Sequence, residues 1–251
     1  MTRPNNNKNR RQPRDRESLS HQFEAANQNY AGFKARSPRQ QEQADLIDAN
    51  DVVFSIGPAG TGKTHVAMAK AVEALKAGEV DSILLARPAV EAGKTLGFLP
   101  GDQNDKMKPY MRPLYDELDK AYGKGQYETM IKNGIVEVAP IGTMRGRTFE
   151  NAFVIIDEAQ NLLYSELKMA LTRLGNGSKM VITGDPGQID LDPVTDSGLM
   201  EIIKELEGVE SIALHNYGPE DVMRHPTVQR IVDRLEGKDH KKQPLSGPSA
   251  P

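Results

Sequence analysis

The stretch SIGPAGTGKT, residues 55–64, constrains the fold more than any other part of the chain. It contains Gly-x-x-x-x-Gly-Lys-Thr, directly after the apolar run VVFSI and directly before an amphipathic pattern. Glycines let the backbone turn tightly so that successive N–H groups face one anion, and the following helix N-terminus adds the positive end of its dipole. A chance match is expected in roughly one chain per hundred of this length. The stretch therefore predicts a strand, a phosphate-binding loop and a helix.

The residue types of this loop predict how it would hold a nucleotide. We expect Lys63 to reach the β- and γ-phosphate oxygens and the Thr64 hydroxyl to ligate Mg²⁺. The residues expected to contact ATP are Gly57, Pro58, Ala59, Gly60, Thr61, Gly62, Lys63, Thr64 and His65.

A second apolar run, FVIIDE at residues 153–158, ends in two carboxylates. Asp157 is placed to hold Mg²⁺ through water, and Glu158 is placed to orient and deprotonate a water for attack on the γ-phosphate. An apolar run followed by an acid is common and is weak evidence by itself. In a chain that also has a phosphate loop, it becomes a strong indication of a nucleotide-hydrolysing site. Because a kinase has to keep water from the γ-phosphate, the second carboxylate favours ATP hydrolysis over transfer to another acceptor.

A third segment, VITGDPGQ at residues 181–188, also follows an apolar run. Gln188 is a candidate to contact the γ-phosphate or the attacking water and to report hydrolysis to a distant surface. The alternative is an ordinary polar turn opened by Gly-Asp-Pro-Gly.

Alternating apolar runs and helical patterns predict an α/β sandwich of three layers with a mostly parallel sheet. The predicted strands are Val52–Ile56, Ser82–Ala86, Ile135–Ala139, Phe153–Asp157, Met180–Thr183 and Ser211–Leu214. The predicted helices are Lys63–Ala77, Met111–Tyr122, Ser165–Leu174 and Gly198–Leu206. We place one domain at 37–236, between flexible tails at 1–36 and 237–251.

The composition of the chain excludes several kinds of site and indicates the compartment in which the protein works. The chain of 251 residues has no cysteine, which excludes disulfides, iron–sulfur clusters and cysteine-ligated zinc. Neither a membrane-spanning window nor the apolar segment of a secretory signal is visible, so we expect a cytoplasmic protein. Residues 1–16 hold six Lys or Arg and one Asp, whereas the whole chain has a net charge of −3. This basic tail could bind nucleic acid, or it could be a solvated end.

Six motifs in one order carry a family resemblance: GPAGTGKT, RPAVEAG, LGFLPGD, MRGRT, IIDEAQN and TGDPGQIDL. The chain resembles PhoH-like proteins, the family named for phosphate-starvation induction, from about Ser37 to Glu236. The resemblance implies a RecA-like P-loop ATPase core, similar to the first motor domain of superfamily-one helicases, with activity tied to RNA or DNA. It also implies that Gln40 reads the adenine edge, although Gln41 and Gln43 are equal candidates by spacing. No acidic nuclease segment of the PIN type follows the core, so we expect no nuclease activity.

Hydrolysis of this kind usually needs an arginine to neutralise charge developing on the γ-phosphate. Two-domain helicases take it from a second motor domain, and this chain has room for one. We therefore expect the arginine to come from another copy, in a ring that is a hexamer by preference. The candidates are Arg224, then Arg145 and Arg147, and the alternative for each is a surface or structural ion pair.

Helicase-like cores touch the nucleic-acid backbone after the strand that follows the loop helix, where this chain has Arg87, Lys94 and Thr95. These residues could instead bind phosphate or pack within a ring. Aromatic residues make up 5% of the chain, so backbone tracking is favoured over sequence readout.

Three hypotheses follow. The first is an Mg²⁺-dependent, oligomeric ATPase that acts on RNA or single-stranded DNA. The second is a non-motor ATPase or nucleotide switch that controls assembly or a protein partner, and the third is a phosphotransferase.

Overall fold

The computed structural model describes residues 32–88, 112–120, 125, 127–191, 197–223 and 226–235. The helices are α1 (Pro38–Ala49), α2 (Lys63–Ala77), α3 (112–120), α4 (Tyr127–Lys132), α5 (Tyr164–Leu171), α6 (Leu199–Glu205) and α7 (Pro226–Leu235). The strands are β1 (Val52–Ile56), β2 (Ser82–Arg87), β3 (Val136–Pro140), β4 (Ala152–Ile156), β5 (Lys179–Gly184) and β6 (Ile212–Asn216). Short 3₁₀ turns lie at Ile141–Met144, Ala159–Asn161 and Pro219–Asp221.

The six strands form one sheet in the order β3-β2-β4-β5-β1-β6, and every strand pair is parallel. A parallel sheet is covered on both faces, which is why its central strands are continuous apolar runs. Ile56 of β1 lies opposite Gly184 of β5, and Ile156 of β4 lies opposite Ile182. The carboxyl ends of these three strands therefore reach the same edge of the sheet, where ligands of open α/β sheets bind.

Two separate hydrophobic cores cover the two faces. One contains Val53, Leu85 and Ile155 and packs against α2, while the other contains the intervening residues Phe54 and Leu84. Alternate side chains of a strand point to opposite faces, so the sheet is the middle of three layers. The predicted three-layer α/β sandwich is confirmed, and its sheet is parallel throughout the described strands.

Helix α2 has the predicted bounds. Its N-cap is Gly62 with φ of 90°, and its C-cap is Gly78 in the left-handed conformation with φ of 72°. A left-handed residue that ends a helix is usually glycine because a Cβ is disfavoured there. Val66 and Val72 are buried along one face, which fixes the helix against the sheet directly behind the phosphate loop.

Helix α1 was not among the predicted elements. Ser37 caps it by accepting a hydrogen bond from the Gln40 N–H at 3.2 Å. Two of its buried side chains are the glutamines Gln40 and Gln43. Phe33, before the predicted domain start at 37, already packs against the core, and its N–H donates to Glu73 Oε1 at 2.7 Å.

Among the described helices, none combines the length and the apolar character needed to cross a bilayer. Residues 1–31 of the predicted tail 1–36 and all of the predicted tail 237–251 lie outside the described residues, and the domain boundaries stay predictions.

Candidate active site

The phosphate loop between β1 and α2 is shaped by glycines pressed against other segments. Gly57 has φ of 136°, and a Cβ at this position would lie 2.4 Å from the Tyr217 carbonyl oxygen. A Cβ on Gly62 would lie 2.5 Å from Gln40 Nε2. The backbone conformation and the close approach of the segment after β6 and of α1 therefore both require glycine here.

Lys63 lies over the loop that it follows. Its Nζ donates to the Gly57 carbonyl at 2.6 Å and to the Pro58 carbonyl at 2.8 Å. The Thr61 hydroxyl also donates to Pro58 O, at 3.1 Å. These bonds place the ammonium group at the centre of the predicted phosphate site.

Asp157, directly after β4, accepts two hydroxyl bonds on one oxygen. Thr64 Oγ1 donates to Asp157 Oδ1 at 2.7 Å, and Thr183 Oγ1 of β5 donates to the same atom at 2.6 Å. Within the described structure the other oxygen, Oδ2, accepts no hydrogen bond. The structure thus brings the two predicted Mg²⁺ ligands together and adds Thr183, which had no predicted role.

The chemistry of this donor set fits Mg²⁺. A hydroxyl and a carboxylate are hard oxygen ligands, and Mg²⁺ normally keeps several waters and binds substrate phosphates beside one or two protein groups. No cluster of three or more His, Cys, Asp or Glu that could hold a metal exists in the described ranges. Thr64 and Asp157 would hold the ion, with phosphate and water as its other ligands.

Glu158 is held by two neighbours at the end of β4. Its Oε1 accepts from Arg87 Nη2 at 3.0 Å, and its Oε2 accepts from Gln160 Nε2 at 2.6 Å. Its φ of 56° lies in the left-handed region, which a residue with a Cβ seldom adopts. The carboxylate direction is therefore set by both its backbone and its two partners.

Gln160 ties Glu158 to the segment after β5. Gln160 Nε2 also donates to the Gln188 carbonyl at 3.1 Å, while Gln160 Oε1 accepts from the Asp185 N–H at 3.0 Å. Asp185 Oδ2 in turn accepts from the Ala59 N–H of the phosphate loop at 3.0 Å. Gln188 therefore lies close to Glu158 through Gln160, a residue of IIDEAQN that had no predicted role.

His65, at the start of α2, faces α3. Its Nδ1 lies 3.1 Å from Glu117 Oε2. Burial would raise the pKa of Glu117, but the hydrogen bonds from His65 and Lys120 outweigh it and lower that pKa. The pair forms one wall of the site.

Two cavities meet at Glu158. The inner cavity, of about 240 Å³, is lined by Ala59, Gly60, Gly62, Lys63, Thr64, His65, Glu117, Asp157, Glu158, Gly184, Asp185 and Gln188. The outer cavity, of about 150 Å³, is lined by Arg87, Pro88, Glu158, Gln160, Asn161, Gln188 and Asp190. Glu158 and Gln188 line both, so the two cavities adjoin at these residues.

Of the remaining predicted residues, Gln40 contacts the phosphate loop, whereas Arg145 and Arg147 do not line the inner cavity. Gln40 is buried, with Nε2 donating to Thr61 O at 3.0 Å and Oε1 accepting from the Arg36 N–H at 3.0 Å. Arg147 makes a two-point bond to Glu137 at 2.6 and 2.7 Å, and Arg145 is exposed. The predicted residues Lys94, Thr95 and Arg224 lie outside the described residues.

Sequence comparison matches residues 33–236 to the family described as "PhoH-like protein". A PhoH-like protein of Bacillus subtilis is 49% identical over 81% of this chain and 64% of its own length. Protein PhoH of Escherichia coli K12 is 43% identical over 79% of this chain and 56% of its own length. The chain therefore spans less than two thirds of each of these relatives.

Solved structures of similar shape include the large terminase of a thermophilic bacteriophage. That protein is 12% identical, with a TM-score of 0.48 over 80% of this chain and 50% of its own. The Pif1 helicase of Candida albicans is 16% identical, with a TM-score of 0.41 over 82% of this chain and 44% of its own. Similarity at this level carries no conclusion about activity.

Proposed function

Because the chain belongs to the family of PhoH-like proteins, we propose that it binds ATP with Mg²⁺ and hydrolyses it to ADP and phosphate. The observation that carries this proposal is the meeting of Thr64 and Asp157 through a 2.7 Å hydrogen bond beside Lys63. Glu158 follows Asp157 directly and lines the same cavity. A phosphate loop, a Mg²⁺ site and a base thus occupy one inner cavity.

The chain's own residues divide the work as follows. The loop amides and Lys63 bind the phosphates, and Thr64 and Asp157 orient the ion, which when bound neutralises phosphate charge. Glu158 takes a proton from the attacking water, and the Gln188 side chain, on the same wall, positions that water. Transfer of the γ-phosphate to water rather than to another acceptor can be checked by whether labelled phosphate appears free.

Two substitutions test the site. We expect Lys63→Ala to lose most nucleotide affinity, measured by binding of a fluorescent ATP analogue. Glu158→Gln should bind ATP as the unchanged protein does but hydrolyse it at least ~100-fold more slowly, the size of a general-base effect. Normal turnover by Glu158→Gln would remove this residue from the role of base.

Nucleic acid is the partner that we propose for the hydrolysis cycle, in the cytoplasm and in an oligomer. Arg87 at the end of β2 borders the outer cavity, beside the proposed base, and the basic residues 1–16 offer further phosphate contacts. ATPase rates with and without RNA and single-stranded DNA test this proposal. Absence of stimulation together with absence of salt-dependent binding would favour the non-motor switch.

A further inference from the structure

The outer cavity adjoins the proposed base without being part of the phosphate site. Glu158 and Gln188 face both cavities, whereas Arg87, Asn161 and Asp190 line only the outer one. A ligand in the outer cavity would therefore touch the far side of the two residues expected to manage the attacking water, without touching ATP.

Arg87 and Gln160 fix the direction of the Glu158 carboxylate from opposite oxygens, at 3.0 and 2.6 Å. A general base must lie within hydrogen-bonding reach of the water that it deprotonates. The Arg87 and Glu158 side chains are 18% and 37% exposed, so this ion pair is more shielded than a surface pair. As long as Arg87 holds Oε1, the carboxylate has to break that bond to turn towards a water in the inner cavity.

This inference rests on the proposed ATPase function. We infer that Arg87 is a positioning residue whose ion pair holds the Glu158 carboxylate when no nucleic acid is bound. A nucleic-acid phosphodiester bound in the outer cavity pairs with Arg87 instead and so releases Glu158. A guanidinium group matches the oxygens of a phosphate with two parallel N–H bonds. The amide side chains of Gln160, Asn161 and Gln188 line the same cavity and include further donors.

The charges of the outer cavity link the binding of an anion to the release of Glu158 from Arg87. Arg87 supplies its positive charge, and Glu158 and Asp190 supply two carboxylates. Asp190 is bound to Asn161, whose Nδ2 donates to Asp190 Oδ2 at 3.2 Å. An anion enters most favourably when Glu158 leaves Arg87, and by thermodynamic reciprocity a displaced Glu158 strengthens anion binding.

The test compares steady-state ATPase kinetics of the full chain and an Arg87→Ala variant, with and without oligo(U) or oligo(dT). Without nucleic acid, we expect kcat of Arg87→Ala to rise roughly threefold to tenfold while the KM for ATP changes little. Stimulation by either oligonucleotide should be lost. Arg87→Lys keeps the positive charge but loses the two parallel N–H donors of the guanidinium group. Its basal kcat and its stimulation should lie between those of the unchanged protein and those of Arg87→Ala.

Arg39→Ala is the matched control, because it removes an arginine–glutamate pair of similar length, 2.8 Å to Glu42, that lines neither cavity. It should leave both rates unchanged. If Arg87→Ala does not fold, Arg87→Gln removes the charge and keeps an N–H donor, with the same expectation.

The outcomes separate the two proposals. A lower or unchanged basal kcat in Arg87→Ala overturns the holding role, and retained stimulation overturns the anion site. If inorganic phosphate stimulates the unchanged protein as strongly as an oligonucleotide does, the ligand of the outer cavity is free phosphate. That result would overturn the assignment of a nucleic-acid phosphodiester. Lack of any ATPase activity in the unchanged protein would instead contradict the proposed function itself.

Discussion

Thr183 is the residue whose contribution to the site is easiest to isolate. It lies on β5, is buried, and its hydroxyl donates to the same Asp157 oxygen as Thr64 does. Because its partner is a buried carboxyl group, the bond helps to fix the direction in which Asp157 faces the proposed Mg²⁺ site.

We expect Thr183→Val, which keeps the shape but removes the hydroxyl, to lower the free energy of unfolding by about 1–3 kcal/mol. It should also raise the Mg²⁺ concentration for half-maximal ATPase activity by roughly tenfold, as loss of an outer-shell bond typically does. Urea unfolding and a Mg²⁺ titration measure the two effects. Thr183→Ser keeps the hydroxyl and serves as the control, and an equal Mg²⁺ shift in both variants would rule out the hydrogen bond as its cause.

At this scale the sequence predicts residues that act through a local pattern. The glycine spacing of residues 57–64 and the acids after an apolar run are contiguous, and the structure brings Lys63, Thr64, Asp157 and Glu158 to one cavity. Thr183 and Gln160 escaped prediction because their partners come from other strands and loops. Their positions follow from the pairing of β4 with β5, which no short stretch of sequence encodes.

At the scale of elements, α2 with its apolar stripe was predicted, whereas α1, which is held by polar bonds, was not, and neither were α4 and α7. Helix α2 has alanines and valines on its buried face and matches its predicted bounds. Helix α1 buries Gln43, which donates to Lys63 O at 3.0 Å and accepts from the Tyr217 hydroxyl at 2.6 Å. Those partners lie far along the chain, so the local sequence does not reveal them. The sequence of α1, PRQQEQADLIDA, also has no strong apolar period by which a helix could be recognised.

Strand β6 contains a titratable group that should make stability depend on pH. His215 is buried, and within the described ranges neither ring nitrogen has a hydrogen-bond partner of good geometry. Its Nε2 lies 3.7 Å from Glu42 Oε2, and its ring meets that of Tyr217 edge-on, with 4.6 Å between the ring centroids. Burial, helped by the charge of Arg39, lowers its pKa against the opposing effects of Glu42 and Asp221. The imidazole is therefore more easily protonated in the unfolded chain than in the folded one.

Below a pH of about 6.5, the ordinary histidine pKa, the unfolded chain binds a proton that the folded protein does not. The free energy of unfolding should then fall as the pH decreases from about 6.5 towards the folded pKa of His215. Urea unfolding at pH values about one unit above and one unit below that ordinary pKa measures this loss, which should be smaller in His215→Leu. Equal losses in both proteins would exclude His215 as the source.

At the scale of the whole molecule, the described residues hold one P-loop core, and the proposed ATP hydrolysis would need an arginine that completes this site. Arg147 is engaged by Glu137 and stacks over Phe149 at 4.7 Å, whereas Arg145 is exposed. Arg224 lies outside the described residues, so Arg224 and Arg145 stay the candidates for a neighbouring subunit's site. The sequence predicted the fold, because buried parallel strands have a distinct apolar signature. It could not show which of the ranked arginines acts, because their role depends on another copy.

We expect the protein with bound nucleotide to sediment as an oligomer, a hexamer by preference, and Arg224→Ala to lose most ATPase activity while retaining ATP affinity. Mixing Arg224→Ala with Lys63→Ala should restore part of the activity, since some interfaces then combine an intact loop with an intact arginine. Analytical ultracentrifugation and ATPase assays of the mixtures measure this. A monomer with full activity would contradict an arginine supplied in trans.

The phosphate loop is completed by residues far later in the chain. Gly184 O accepts from the Gly57 N–H at 3.1 Å, Asp185 holds Ala59, Tyr217 packs on Gly57, and the Met223 N–H donates to Gly60 O at 2.9 Å. During synthesis, a chain still on the ribosome has made the loop long before it has made these supports. The proposed ATP site is therefore complete only after residue 223 has emerged, so we expect bound ATP to stabilise the newborn protein only from that point.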